Sequence, residues 1–382
     1  MNESAANASQ PRATKPRYIM IGGFLGAGKT TSVAALAQEL TARGLRVGLI
    51  TNDQGSELVD TAMLRSKGFA TEEIPGGCFC CRFNSLVDAA GKLTTQTAPD
   101  VFIAEPVGSC TDLVATVTYP LRRIYGDSFT IAPLSVLVDP VRAERIIGLG
   151  TGGNFSEKVI YIYKKQLQEA DLIVITKTDL INEARLAALK TALALEFPRA
   201  EILAVSARKS EGLDGWFERL LSSEQTAHPT MEVDYGIYAE GEALLGWLNS
   251  TVHVAGEGTE FESETVLKAL ARDIQSRLAS NEIAHLKMTL SPDSGIGDVA
   301  VINLVRSDYV PELSIRLEGP VASAQLIINL RAEADPEALE AAVKGAVQSL
   351  PDQVPGVQAK LEHLEFFRPG KPEPTHRDVL GQ

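Results

Sequence analysis

Along the first 220 residues, short and nearly continuous apolar runs alternate with longer amphipathic stretches. The runs lie at 17–22, 46–52, 100–105, 133–138, 171–176 and 201–206, and Leu172-Ile173-Val174-Ile175 typifies them. A strand with one solvated face alternates apolar and polar residues, so runs apolar at every position suit parallel strands covered on both faces. Between them, 32–43 stops at Gly44 and 182–196 stops before Pro198, which is how helices end. The alternation predicts an α/β domain over 16–222 with a doubly wound, mostly parallel sheet.

The pattern changes after a polar break at 222–230. Strands are predicted at 233–239, 250–254, 283–290, 299–305, 312–317 and 323–330, with helices near 262–279 and 336–349. This is the outline of a smaller α+β domain over 232–350. The Pro-rich segment 351–382 is expected to be a tail or a strap on the surface. Residues 1–15 are polar and rich in small side chains, so they read as a disordered tail and lack the apolar core of a secretory signal.

Charge and cysteine usage narrow the function. The 382-residue chain has a formal charge of −13 and no dense Lys/Arg run, which argues against a nucleic-acid partner. No stretch approaches the roughly 20 consecutive apolar residues of a membrane span. Three of the four cysteines are crowded together, a pattern that points to reduced thiols in the cytoplasm and not to a secreted disulfide framework.

The first apolar run leads into Gly22-Gly-Phe-Leu-Gly-Ala-Gly-Lys-Thr-Thr31. This is a phosphate-binding loop between a strand and a helix, whose successive backbone N–H groups cradle nucleotide phosphates. Gly23, Gly26, Ala27, Gly28, Lys29, Thr30 and Thr31 are therefore the candidate nucleotide contacts. Lys29 is placed to reach the β- and γ-phosphates, and the Thr30 hydroxyl to ligate Mg²⁺. Glu105 ends a later apolar run where a Mg²⁺-side carboxylate is needed, and Gly108 can offer an N–H to the γ-phosphate. Asp53, in Asn52-Asp-Gln-Gly55, is a candidate for Mg²⁺ through water or for orienting the attacking water; an ordinary turn would use the same residues.

Thr176-Lys-Thr-Asp179 follows another buried run. A carboxylate at Asp179 can accept from guanine N1–H and the exocyclic amine together, and the Lys177 stem can lie along the base. These residues are expected to select GTP and GDP over adenine nucleotides; a helix N-cap by Thr178 or Asp179 is the alternative. Thr176 stands where Asn is usual in such a motif. Ser206-Ala207 resembles the small loop that meets guanine O6 through backbone N–H groups.

Gly76-Gly-Cys-Phe-Cys-Cys81 is the second strong signal. Thiolates are soft ligands for Zn²⁺ and other thiophilic ions. In an extended segment Cys78 and Cys80 share a side, and a turn brings in Cys81. Burial as small apolar residues, or redox use, are the alternatives for such thiols. Cys110, just after the Glu105 loop, is a candidate fourth ligand or a buried helix-start residue.

Taken in order, the phosphate loop, the Gly-Gly-Cys-x-Cys-Cys stretch, the Glu-Pro-x-Gly loop and the Lys-x-Asp motif resemble those of the CobW-like GTPases, in the G3E class of P-loop proteins. The resemblance covers about residues 16–222. It implies a GTPase that chaperones a metal, with Cys78, Cys80 and Cys81 holding a transition metal, Zn²⁺ or Co²⁺ foremost. It also implies a client metalloprotein or cofactor enzyme as partner, and a homodimer that forms or tightens with GTP. A GTP-dependent activator of a corrinoid or nitrile-hydratase-like enzyme, without direct metal transfer, is the alternative. Residues 233–350 do not match the family's usual C-terminal pattern, and there is no His-rich stretch.

Overall fold

Every strand pairing in the first sheet is parallel. In this computed structural model, which describes residues 15–52, 64–65, 67–126, 128–295 and 298–379, the sheet comprises β1 (Arg17–Gly23), β2 (Val47–Asn52), β3 (Ala70–Ile74), β4 (Val101–Glu105), β5 (Thr130–Ile131), β6 (Ser135–Val138), β7 (Leu172–Ile175) and β8 (Glu201–Ala204). The spatial order is β3-β2-β4-β1-β6-β7-β8, with β5 beside β1. The central strands β1, β2, β4, β6 and β7 are buried almost throughout, as their unbroken apolar runs require. Helices α1 (Lys29–Ala42), α2 (Phe83–Thr97), α3 (Tyr119–Tyr125), α4 (Pro140–Ile146), α5 (Glu157–Glu169), α6 (Glu183–Glu196) and α7 (Leu213–Ser222) make the connections. Strand order reverses around β1 and β4, and a ligand crevice opens at the carboxyl ends of strands at such a point.

The second sheet is antiparallel throughout. Its strands are β9 (Leu245–Gly256), β10 (Glu282–Pro292), β11 (Ala300–Leu304), β12 (Glu312–Ile315), β13 (Ser323–Glu333) and β14 (Val357–Phe367), in the order β12-β11-β10-β13-β9-β14. One face carries Leu248, Val252, Leu286, Met288, Leu326 and Ile328 against α9 (Ser263–Arg277) and α10 (Pro336–Gln353).

Two expectations fail here. The stretch read as a strand at 233–239 is helix α8 (Tyr235–Leu244). Asp234 caps it by accepting from the N–H groups of Gly236 and Ile237, and Gly241 lets it close on α5, since a Cβ there would lie 2.5 Å from Lys158 O. Local β-propensity in Tyr-Gly-Ile-Tyr loses to that cap and that packing. The segment 351–382 is also more than a tail. Pro351 lies inside α10, and Val357–Phe367 is the edge strand β14. Residues 368–379 form the strap. Among the described residues, no helix is long and apolar enough to cross a membrane.

Candidate nucleotide and metal site

The turn from β1 into α1 is held by backbone that only glycine tolerates. Gly23 has φ +130°, and a Cβ there would lie 2.4 Å from Leu137 O. Gly26 and Gly28 also have positive φ, and Gly28 caps α1. Gly26, Gly28, Lys29, Thr30 and Thr31 line a cavity of about 410 Å³, while Gly23 and Ala27 shape the loop behind it. That volume falls within the roughly 300–1,000 Å³ of small-molecule sites. Lys29 Nζ folds onto its own loop and donates to Phe24 O at 3.4 Å. Thr30 Oγ1 donates to Glu105 Oε1 at 2.9 Å, so the end of β4 meets the start of α1. A hydroxyl beside a carboxylate is a hard oxygen donor set that fits Mg²⁺. Gly108 packs on the loop so closely that a Cβ would lie 2.9 Å from Leu25 N.

The far end of the cavity carries Lys177, Asp179 and Ala207. Thr176 Oγ1 lies 2.8 Å from Ala27 O, so the hydroxyl ties the end of β7 to the phosphate loop. Lys177 has φ +49° and donates to Gly26 O at 2.7 Å and to Asp139 Oδ2 at 3.0 Å. Asp179 accepts from Ser206 Oγ at 2.6 Å, and Arg208 stands 3.8 Å from its other oxygen. Burial would raise the Asp139 carboxyl, but Lys177, Arg306 and Arg142 outweigh it and hold it at about 2. Asp53 lies outside the described residues.

Cys78, Cys80 and Cys81 bring their sulfurs together, with Sγ–Sγ separations of 2.8, 3.3 and 3.6 Å. All possible ligand atoms of this trio lie within 4.8 Å of one another, the one such metal-ligating group among the described residues. Gly76 and Gly77, at φ +73° and +145°, supply the bend before it. Hydrogen bonds from Cys110, Cys80 and Cys81 hold the Cys78 thiol well below its usual range. The hydrogen bonds shared with Cys78 push Cys80 well up and Cys81 up to about 11. Three sulfurs drawn together at the end of a bent loop are a soft donor set that fits a thiophilic metal ion. Cys110 therefore touches the cluster through Cys78, but it is outside the trio.

Three features of this region escaped the sequence. The Asn52 amide, at the end of β2 and on the cavity wall, donates to Ile74 O at 2.8 Å and Gly77 O at 2.6 Å. A polar residue ending a buried strand was its only signal. Glu242 on α8 is buried beside the cluster; burial first, then the Cys78 charge, pushes its carboxyl up to about 8. The strap after β14 runs over the cysteines: Thr375 N donates to Cys80 O at 2.8 Å, Glu373 N to Cys81 Sγ at 3.2 Å, and His376 packs edge-on against Phe83. Contacts between residues some 290 positions apart have no local pattern.

Residues 17–203 match the family model of the CobW/HypB/UreG nucleotide-binding domain. The chain is 32% identical over 209 residues to a zinc chaperone CobW of Sinorhizobium sp, covering 50% of this chain and 57% of that protein. It is 30% identical over 167 residues to the zinc chaperone YeiR of Escherichia coli K12, covering 43% and 47%. The chain thus spans about half the length of the curated relatives it matches. The crystal structure of Zn(II)-bound YjiA GTPase from E. coli aligns over 87% of this chain and 99% of its own, at 17% identity and a TM-score of 0.35. The match over residues 17–203, just under half of the chain, and the identities to curated relatives make its nucleotide-binding domain similar to those of the CobW-like G3E P-loop GTPases.

Proposed function

We propose that this chain is a GTP-hydrolysing metal chaperone that takes Zn²⁺ or Co²⁺ at Cys78, Cys80 and Cys81 and passes it to a client metalloprotein under nucleotide control. The observation that carries this reading is the Asn52–Gly77 hydrogen bond, which ties the nucleotide cavity to the residue before the first thiol. The names of the curated relatives support the choice of zinc.

Nucleotide hydrolysis in such a site is in-line attack of water on the γ-phosphate, with no covalent protein intermediate. Lys29 and the loop N–H groups from Gly26 to Thr30 offset charge developing on the phosphate oxygens. Asp179 and Lys177 orient the guanine, and Ala207 closes the base end. Thr30 Oγ1 and Glu105, which lie together at the cavity, would hold Mg²⁺, and the ion would supply further neutralisation of phosphate charge. The metal cargo meets thiolates, so its binding releases protons and weakens as pH falls. The protein works in the cytoplasm, where reduced thiols persist, and a homodimer that forms or tightens with GTP completes the reading.

The test is a titration of Zn²⁺ against a competing chelator, in a non-hydrolysable GTP analogue and in GDP, with turnover of GTP measured alongside. The expected result is a roughly 5–150-fold difference in metal affinity between the two states. Equal affinities would remove nucleotide control and leave a metal-binding GTPase.

A further inference from the structure

Lys177 sits in a backbone conformation that its surroundings must sustain. Its φ of +49° lies in the left-handed region, where a residue with a Cβ is strained. The bend falls two residues before Asp179 and so decides where that carboxylate points. The side chain anchors the bend at its far end: Lys177 Nζ donates to Gly26 O at 2.7 Å and to Asp139 Oδ2 at 3.0 Å.

Both acceptors are backed by consecutive residues of the second domain. Val305 and Arg306 follow β11 directly. Val305 Cβ lies 3.0 Å from where a Gly26 Cβ would stand, so the valine fills the space that the glycine leaves. Arg306 donates from its guanidinium to Asp139 Oδ1 at 3.2 Å. Asp139 is only 2% and Arg306 only 5% exposed, so their attraction is little screened. The guanidinium is steadied in turn by Asp308 at 3.3 Å and by the Tyr309 ring, whose centroid is 4.7 Å away. The remaining contacts of Asp139 come from its own domain. Its Oδ1 accepts from Arg142 N at 3.0 Å, which caps α4, and its Oδ2 from Lys177. Arg142 closes the same seam by donating to the carbonyls of Ile283, Ala284 and Val305. The anchor of Lys177 is thus shared between the two domains, and without Arg306 the Asp139 carboxylate would lose the partner that the second domain supplies.

We propose that the second domain sets base recognition: Arg306, a positioning residue acting through Asp139, holds Lys177 in its left-handed bend and so aims Asp179 at guanine. This rests on the guanine-nucleotide reading given above and names the part of the chain that regulates it. A site that discriminates by hydrogen bonds does so only while its groups are aimed. Asp179 gains against guanine N1–H and the exocyclic amine, which adenine does not present. Loss of Arg306 therefore costs GTP and GDP alike, because the base is common to both, and leaves adenine nucleotides nearly untouched.

The experiment is equilibrium binding of GDP and of non-hydrolysable GTP and ATP analogues to the full chain, wild type, Arg306→Met, Arg306→Lys and Glu333→Ala. Glu333 is the control, because its carboxylate joins the two domains through Ser156 N at 2.9 Å and not through Asp139. Arg306→Met should weaken GDP and the GTP analogue by about tenfold, the low end for one hydrogen bond to a charged group. It should leave the ATP analogue within about twofold, so the preference for guanine falls in proportion. Arg306→Lys should restore most of the loss, and Glu333→Ala should leave all three ligands within about twofold. Unchanged guanine affinity in Arg306→Met, an equal loss of guanine and adenine nucleotides, or the same loss in Glu333→Ala would overturn the proposal. Wild-type protein that binds the GTP and ATP analogues equally would overturn the guanine reading itself. Should Arg306→Met fail to fold, hydrogen exchange on the wild type decides: stronger protection of 305–309 by saturating GDP than by saturating pyrophosphate supports the proposal, and equal protection rejects it.

Discussion

The side-chain amide of Asn52 donates to the carbonyl of Gly77 over 2.6 Å, so the last residue of β2 holds the residue that precedes Cys78. The same amide donates to Ile74 O at the end of β3. Neighbouring strands thus share one buried group that touches both the nucleotide cavity and the thiol loop. Coupling between sites needs a physical element that both can bias, and this hydrogen-bonded strand end is one.

Replacing Asn52 with Ala should separate the two sites. Zn²⁺ affinity measured in GTP analogue and in GDP should converge to within about twofold, against the 5–150-fold range expected of a coupled pair. The buried Ile74 carbonyl and the half-buried Gly77 carbonyl also lose their donor, so stability in urea should fall by about 1–3 kcal/mol. A variant that keeps the full nucleotide dependence of metal binding would show that the coupling runs elsewhere, for instance through the loop from Glu105 to Cys110.

The strap makes a second prediction. Glu373 N donates to Cys81 Sγ, Thr375 hydrogen-bonds both Cys80 O and Cys81 O, and Arg377 reaches the buried Asp112 at 2.7 Å. Ending the chain after Gly370 removes all of these contacts and opens Cys81, which is half-buried. Alkylation of Cys81 by a neutral thiol reagent should accelerate by roughly tenfold, as local protection is lost. The removed N–H also stabilised the thiolate, so metal affinity should drop. Labelling at an unchanged rate, followed by peptide mass analysis, would mean that the strap does not cover the cysteines in solution.

The parts that the sequence announces are those whose physics is local. Gly23, Gly26 and Gly28 are dictated by backbone that other residues cannot adopt, and Cys78, Cys80 and Cys81 cluster because they are neighbours in the chain. The parallel strands were legible because both faces are apolar. The distant contributions were not. Helix α8 was hidden by its aromatic content, β14 by the prolines around it, and the approach of Val305 and Arg306 to Gly26 and Asp139 by the packing of two domains, which no local pattern encodes. Thr176 is a milder case. Its position was clear, but its work, a hydroxyl tied to Ala27 O where an Asn amide is usual, needed coordinates.

Asp179 should set base choice. Its carboxylate is already oriented by Ser206 and flanked by Arg208, so little ordering remains to be done on binding. Asp179→Asn exchanges an acceptor for a donor against guanine N1–H or the exocyclic amine. GTP affinity should fall by about 10–100-fold, while xanthosine triphosphate should gain relative to GTP. Competition among GTP, XTP and ATP for a fluorescent guanine nucleotide measures this directly. Equal affinity for ATP and GTP in the unmodified protein would remove Asp179 from its assigned role.

Two buried acids give a pH dependence whose sign follows from their direction of shift. Burial pushes Glu169 up to about 8, against the opposing help of the Val114 N–H and the Thr111 hydroxyl, and Glu242 is likewise pushed up to about 8. An unfolded glutamate releases its proton near 4.5. Between that value and 8 the folded chain holds more protons than the unfolded one, so stability falls as pH rises through this window. Below about 4.5 the contribution is fully present; above about 8 it is gone. Asp139 works in the opposite sense, because its carboxyl is held at about 2, and its stabilisation is lost only as pH falls from about 3.8 toward that value. The two effects therefore separate cleanly in pH. Glu169→Gln copies the shape of the protonated acid and keeps an oxygen for Val114 N–H, but it cannot ionise. Urea unfolding at pH 5 and pH 8 should show the unmodified protein losing on the order of a few kcal/mol across the interval, and the variant losing less. Curves that decline equally in the two proteins would show that Glu169 is not the group that titrates.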